Sequence, residues 1–330
     1  MNDILWITEQ DVVSLLSLPE AIAALTEGLR EEATGQASNM VKTHIVWDGH
    51  STMHAIGAVF GQVGLAGTKI WAHTAGGAMP LLVMIDANDG SVRAIIEAFA
   101  LGQMRTGGIS GVGTALMAEP SARRMAMIGA GKQSLAQVAA VAAVRPLERV
   151  AIWSPTPEKR EKLAAAVENV LGIEAIAATN LEEAIDAAEI VTLATRATSP
   201  FLMSAMLPRG VHINAVGAIT PERAEFDTAL LDRAGLIAAD SVPQARKLSR
   251  ELIEGFGDDA AAWGRVRPLN ALVAEDGVRP ADADLTIFKA MGMGISDLSL
   301  GSAVLSRAQS AGLGRLISRP VRVAPRLTRN

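Results

Sequence analysis

The chain contains no cysteine. Disulfides, thiolate catalysis and cysteine-type zinc sites are thereby excluded, and the composition fits a reducing compartment. Its histidines, His44, His50, His54, His73 and His212, show no HExxH or other metal-ligand spacing. Long apolar runs are missing too: none reaches the roughly 18 residues that a membrane-spanning helix needs. The opening MNDILWITEQ has no basic stretch followed by an apolar one, so no secretory leader is expected and a cytoplasmic location is. Excess positive charge is absent as well, the net charge being −5. A nucleic-acid binder would carry the opposite balance, so the expected partner is a small molecule, with neither nucleic acid nor membrane.

Aromatic residues supply only 3% of a chain that is 49% apolar. Ala, Val, Leu, Ile and Met must therefore fill the interior in small, closely packed layers, which suits helices on a parallel sheet. At 330 residues the length exceeds one ordinary core of roughly 100–200 residues, and two domains are expected.

The texture changes along the chain. SLPEAIAALTEGLREEA, within the first part, has a helical pattern with Pro19 near its start. From about Met40 to Asp86 the runs VKTHIVW, TMHAIGAVF, GTKIWAH and PLLVMIDAN read as strands of a largely antiparallel sheet. A helix is expected from Ile95 through MRTGGISGVGTALMA to Glu119. After Pro120, six short apolar strands, MAMIG, RVAIWS, EAIAAT, EIVTLAT, GVHINAVGA and GLIAAD, alternate with helices such as QSLAQVAAVAAV and ERAEFDTALL. This is the pattern of parallel strands joined by right-handed crossovers, a doubly wound α/β fold. From about Asp284 a Gly-interrupted loop enters a helix, and the basic tail SRPVRVAPRLTRN reads as an extended end.

MIGAGKQS, Met127 to Ser134, closes an apolar strand and opens a helix. Gly129 permits the tight turn, and Gly131 lets backbone approach a pyrophosphate at the helix N-terminus, where amides and the helix dipole favour an anion. Alone, the GxGxxS pattern would equally fit a plain glycine turn; its place at the head of a βαβ series points to a dinucleotide. Lys132 and Gln133 lie in that turn, and Ser134 is small enough for close helix–strand packing. The second strand ends at Ser154, where an NAD enzyme would place an acid on the ribose 2′-OH. Here SPTPEKR offers Ser154, Thr156, Lys159 and Arg160, a set that suits a 2′-phosphate, so NADP(H) is favoured over NAD(H). The alternative is that Lys159 and Arg160 are the solvated face of the next helix. Thr195 after the fourth strand, and the backbone from Asn214 through Val216 to Gly217 at the end of the fifth, are further cofactor candidates, because ligands in open α/β sheets bind at the carboxyl ends of strands.

GTKIW at 67–71, MRTGG at 104–108, IGAGKQSLAQ at 128–137, INAVGAITPERAEFD at 213–227 and IFKAMGMGISD at 287–297 together resemble the ornithine cyclodeaminase and mu-crystallin family, over about residues 5–315. The resemblance implies a Rossmann-type domain (119–291) set into an α+β substrate-binding and dimerisation domain built from 1–118 and 292–330, and a homodimer. It also implies that Lys69 and Arg105 lie by substrate and nicotinamide, with Thr106 close by, and that the Met291 loop approaches both. The chemistry is sound without the family: an amino-acid carboxylate needs a cationic clamp, and a lysine buried beside an arginine can pass a proton. Arg223 takes the place of a cofactor-side lysine, or else is a solvated helix-start residue.

Two departures from the family pattern bear on activity. Where relatives often place an arginine as a further carboxylate ligand, MVKTHI offers Lys42, a point charge without the bidentate fork. Where cyclodeaminases carry an aspartate after the fifth strand, this chain has Ile219. Cyclodeamination needs a positioned acid–base group for its several proton transfers, and isoleucine cannot serve; Glu222 and Glu225 are the acids nearby that could stand in, of which Glu225 reads as a helix-surface or capping residue. Reducing a preformed imine asks for less. The expected activity is therefore NAD(P)H-dependent reduction of small α-imino acids, Δ1-pyrroline-2-carboxylate to L-proline first among them. Ornithine cyclodeamination and mu-crystallin-like ligand binding are the alternatives.

Overall fold

The computed structural model describes residues 3–276 and 279–328. Strand β1 (Ile4–Ile7) and helices α1 (Glu9–Leu15) and α2 (Leu18–Ala33) come first. They are followed by β2 (Ala37–Asn39), β3 (Thr43–Trp47), β4 (Ser51–Phe60), β5 (Leu65–His73), β6 (Leu81–Asp86) and β7 (Val92–Glu97). In α2 the sequence signals act as read: Ser17 and Glu20 form a capping box, and Pro19 occupies the first turn, where its missing N–H is no loss.

The long helix α3 (Phe99–Met117) begins later than its sequence pattern indicates. Ile95 belongs to β7, pairing with Trp6 and Val83, because an apolar run that enters a buried helix looks the same whether its first residues are strand or helix. The side chain of Glu9 accepts hydrogen bonds from the amides of Phe99 and Ala100 and so caps α3 from another element.

The remaining chain runs β8 (Arg124–Ile128), α4 (Ser134–Ala142), β9 (Arg149–Trp153), α5 (Pro157–Leu171), β10 (Glu174–Ala177), α6 (Leu181–Ile185), β11 (Ile190–Leu193) and β12 (Val211–Ala215). Then come α7 (Ala229–Arg233), β13 (Ala234–Ala239), α8 (Val242–Leu248), α9 (Arg250–Phe256), α10 (Ala260–Gly264), β14 (Val266–Pro268) and α11 (Leu269–Ala274). The last elements are β15 (Leu285–Lys289), α12 (Gly294–Ala311) and β16 (Arg315–Ile317).

Two eight-stranded sheets result. The first has the order β16-β1-β7-β6-β5-β4-β2, with β3 also paired to β4, and is largely antiparallel. The second is parallel throughout, in the order β10-β9-β8-β11-β12-β15-β13-β14. This is the doubly wound Rossmann-type arrangement, with strand order reversing between β8 and β11; a crevice opens there, outside the carboxyl ends of the strands.

Two strands of the parallel sheet, β14 and β15, go beyond the six visible in the sequence. The segment taken for a loop from Asp284 contains β15, a fully buried strand between β12 and β13. Five residues ending in Lys289 and followed by a Gly-rich run carry too little pattern to be told from a loop. Likewise ERAEFDTALL is mostly irregular, with only the short α7 near its end. The tail beyond β16 has no regular structure as far as residue 328, and its last two residues lie outside the described ones.

Helix α3 joins the two halves. A Cβ on Gly107 would stand 2.7 Å from the Ala136 carbonyl oxygen, and one on Gly113 would meet the Phe288 ring at 2.8 Å. Glycine in a helix interior costs about 1 kcal/mol relative to alanine; here it lets α3 lie directly against α4 and β15. Helix α12 is seated the same way on the first sheet, where a Cβ on Gly294 would fall 1.9 Å from Gly57 O. One apolar cluster consequently runs from Ile7, Leu25 and Leu82 through Ile109 to Phe288 and Leu298.

Candidate active site

A cavity of about 1080 Å³ fills the crevice between the sheets. Its volume suits a dinucleotide with a small substrate. At one end the turn after β8 provides Gly129, Gly131, Lys132 and Gln133. Gly129 has φ of 111°, and a Cβ there would lie 2.5 Å from Ala194 O, whereas one on Gly131 would meet nothing within 4 Å. The first glycine is thus required by the fold, and the second leaves backbone open to a ligand. Ser134 Oγ accepts from the Gly131 amide at 3.0 Å and is fully buried against the sheet. Open backbone facing the N-terminus of α4 fits a pyrophosphate.

At the end of β9, Ser154 donates to Thr156 O at 3.1 Å, and both residues line the cavity with Lys159. Arg160 is turned back, Nη1 donating to Ser154 O at 3.0 Å, so it braces this corner. Thr195, Val216, Gly217, Ile219, Arg223, Thr106 and Met291 are lining residues as well.

Two expected residues are placed elsewhere. Asn214 does not reach the cavity: its amide donates to Thr114 Oγ1 at 2.9 Å and Thr192 Oγ1 at 3.3 Å, and His212 Nε2 meets its Oδ1 at 3.2 Å. Side chains alternate along a strand, and position 214 faces the packed α3 side. Lys69 stands just behind the wall, its residue only 3% exposed.

The opposite end of the cavity is cationic. Arg105, from the second turn of α3, and Lys42, between β2 and β3, line it. The Lys69 ammonium is hydrogen-bonded to Asp297 Oδ1, and Arg105 Nε lies 3.4 Å from the same oxygen. Burial, reinforced by the neighbouring cations, brings Lys69 down to about 8, although Asp297 opposes this. Burial also lowers Lys42, with Arg105 adding to it.

Several participants escaped the sequence reading. Trp71 and His73 line the cavity two and four residues after Lys69, on the same face of β5, so strand periodicity alone would have found them. Asp240 closes β13 at a carboxyl end and accepts from the amides of Met291 and Gly292 at 2.7 and 2.8 Å, pinning the loop against Arg105. Burial raises its pKa. Asp297 lay inside a motif already singled out. Glu225 is not a helix-surface residue but wholly buried: it accepts from Thr195 N and Oγ1, Gly217 N and Ala218 N, and holds together the two loops under the cofactor end.

Comparison with known proteins agrees with this geometry. The Ornithine cyclodeaminase/mu-crystallin family matches residues 3–312. A Delta(1)-pyrroline-2-carboxylate reductase of Bacillus cereus is 30% identical over 244 residues, 72% of this chain and 73% of that protein. An iminosuccinate reductase of Paracoccus denitrificans is 33% identical over 238 residues, 70% and 71% of the two chains. The crystal structure of the iminosuccinate reductase of Paracoccus denitrificans in complex with NAD+ superposes with a TM-score of 0.88 at 27% identity, covering 96% of this chain and all of the other.

Proposed function

The chain belongs to the ornithine cyclodeaminase/mu-crystallin family, and on that premise we propose that it is an NAD(P)H-dependent reductase of small cyclic α-imino acids, with Δ1-pyrroline-2-carboxylate as substrate and L-proline as product. One observation carries the reading. The substrate end of the cleft sets three cations, Lys42, Lys69 and Arg105, against two carboxylates, Asp240 and Asp297, while Ile219, Met291 and Trp71 contribute apolar wall. One positive charge is left over, which matches a single carboxylate, and the apolar side has no acid for amine chemistry.

Arg105 and Lys42 hold the substrate carboxylate, Arg105 through its planar fork and Lys42 as a point charge. Ile219 and Met291 exclude water from the apolar side of the ring. Lys69, behind Arg105, carries a proton for the imine nitrogen. Gly129, Gly131, Lys132 and Gln133 would hold the pyrophosphate of a nicotinamide dinucleotide, which when bound in reduced form supplies the hydride for the imine carbon. Ser154, Thr156 and Lys159 favour NADPH over NADH, because they present hydroxyls and a cation with no carboxylate.

Strand β3 is exposed along its whole length, including Ile45, Val46 and Trp47. This surface supports a homodimer in which a second copy covers it. Sedimentation should give twice the 34.4 kDa chain mass.

The deciding assay follows absorbance at 340 nm with Δ1-pyrroline-2-carboxylate and NADPH or NADH, beside iminosuccinate as a dicarboxylate and L-ornithine with catalytic NAD as a test for ammonia release. Oxidation of NADPH by the cyclic monocarboxylate is expected. Preference for iminosuccinate, or ammonia from ornithine, would overturn the reading.

A further inference from the structure

Lys69 and Asp297 meet across 228 positions of sequence. Their side chains are 4% and 1% exposed, so water screens neither charge. Two closely seated elements bring them together. Lys69 is at the centre of β5, and Asp297 is in the first turns of α12, whose Leu298 packs on Gly67 and whose Gly294 abuts Gly57. Asp297 Oδ2 is buried with no hydrogen-bond partner.

We propose that Asp297 is a positioning residue that keeps Lys69 in its ammonium form, so that Lys69 serves as proton donor to the substrate nitrogen in a chain with no acid at position 219. The inference rests on the imine-reductase reading. In the step, an N–H bond of Lys69 breaks and one forms at the imine nitrogen. The imine carbon takes two electrons with the hydride of the reduced nicotinamide, which is oxidised, and Lys69 then regains its proton from water. While Lys69 is neutral, the charge of Asp297 is still met by Arg105, 3.4 Å away.

The groups around Lys69 fix the direction of the effect. Arg105 on α3 and Lys42 between β2 and β3 both disfavour a further cation, as does burial, and only Asp297 favours it. Asp240, at the end of β13, acts on Arg105 and Lys42. The Trp71 ring, 5.1 Å from Nζ, is uncharged and favours the cation weakly through its face. Removing Asp297 thus leaves burial, Arg105 and Lys42 pressing Lys69 toward the neutral amine.

The test is a pH titration of [13Cε]lysine-labelled protein by NMR, free of substrate, for the wild type and Asp297→Asn, with the Lys69 signal assigned by its loss in Lys69→Arg. The midpoint should fall by about one pH unit or more in Asp297→Asn and stay near the wild-type value in Asp297→Glu. In turnover, the basic limb of kcat/KM should move by the same amount, giving about a fivefold loss at pH 8 that approaches tenfold at higher pH and shrinks toward pH 6. An unmoved midpoint, or an equal loss at every pH, would overturn the proposal. If Asp297→Asn does not fold, Asp297→Ser takes the same titration. Should the wild type reduce no imine, the functional reading fails by itself, while the NMR midpoint still decides whether Asp297 governs Lys69.

Discussion

The carboxylate of Glu225 accepts both the amide and the hydroxyl of Thr195, each at 2.7 Å, and with its other oxygen the amides of Gly217 and Ala218 at 2.9 and 3.0 Å. One buried acid therefore ties together the loops that follow β11 and β12. Beneath it the fully buried Lys289 is paired with Glu251 at 3.1 Å, and Glu251 accepts the Glu225 amide. Near the cleft both loops are irregular, and a single 3-10 turn at Ser204–Met206 and a bridge between Leu202 and Phe226 lie further on, so this acid supplies much of the order at the cofactor end.

Replacing Glu225 by Gln should loosen that floor. The amide has one acceptor where two are used, and its NH2 would face backbone donors, a mismatch worth roughly 1–3 kcal/mol. The melting temperature should fall by several degrees and KM for the nicotinamide cofactor should rise about tenfold, read by differential scanning fluorimetry and by cofactor titration.

Ile219→Asp restores the acid that cyclodeaminases carry. Beside an apolar imine ring an unpaired carboxylate costs about 1–3 kcal/mol and cancels the surplus positive charge, so kcat/KM for Δ1-pyrroline-2-carboxylate should drop by roughly ten- to a hundredfold. Initial rates at saturating NADPH check this; an unchanged value would remove Ile219 from the substrate wall.

Lys159→Ala should discriminate between the cofactors. Loss of one charge near a 2′-phosphate weakens NADPH by roughly 1–2 kcal/mol, about five- to thirtyfold in KM, and leaves NADH nearly untouched. Parallel titrations give the ratio, and equal effects on both cofactors would assign Lys159 to the solvated face of α5.

A methyl group at Gly294 would fall 1.9 Å from the Gly57 carbonyl oxygen, and backbone stands on both sides. Gly294→Ala should therefore destabilise by about 3 kcal/mol or more, through displacement of α12 from β4. Urea unfolding monitored by tryptophan fluorescence would measure it.

His212 is buried neutral, its pKa lowered to about 3 by burial. Above pH 6.5 neither the folded nor the unfolded chain protonates it. As pH falls from 6.5 toward 3, the unfolded chain takes up a proton that the folded one refuses, so this residue reduces the folding equilibrium about tenfold per pH unit across that window. Denaturation between pH 7 and 4.5 should show a shallower decline in His212→Gln, whose amide keeps a partner for Thr286.

By itself the sequence determined the doubly wound half, the glycine turn and the polar corner at Ser154, because strand–helix alternation and a special turn are local or leave a fixed spacing; Lys69 and Arg105 were legible only through the resemblance to the family, since no local pattern distinguishes either from a surface cation. Even in the doubly wound half its reach was limited: β15 was too short and too uniformly buried to show a period, and of the backbone expected at the cleft from Asn214 to Gly217 only Val216 and Gly217 line it, Asn214 being packed behind with its side chain on Thr114. Tertiary structure decided what the charges are for. Asp297 reaches Lys69 across 228 positions, Asp240 reaches the Met291 loop across 51, and Glu225, which has the composition of a surface helix residue, is buried between two loops. An ion pair or a buried hydrogen bond is a property of distance and desolvation, and neither is written in the order of residues until the chain has closed on itself.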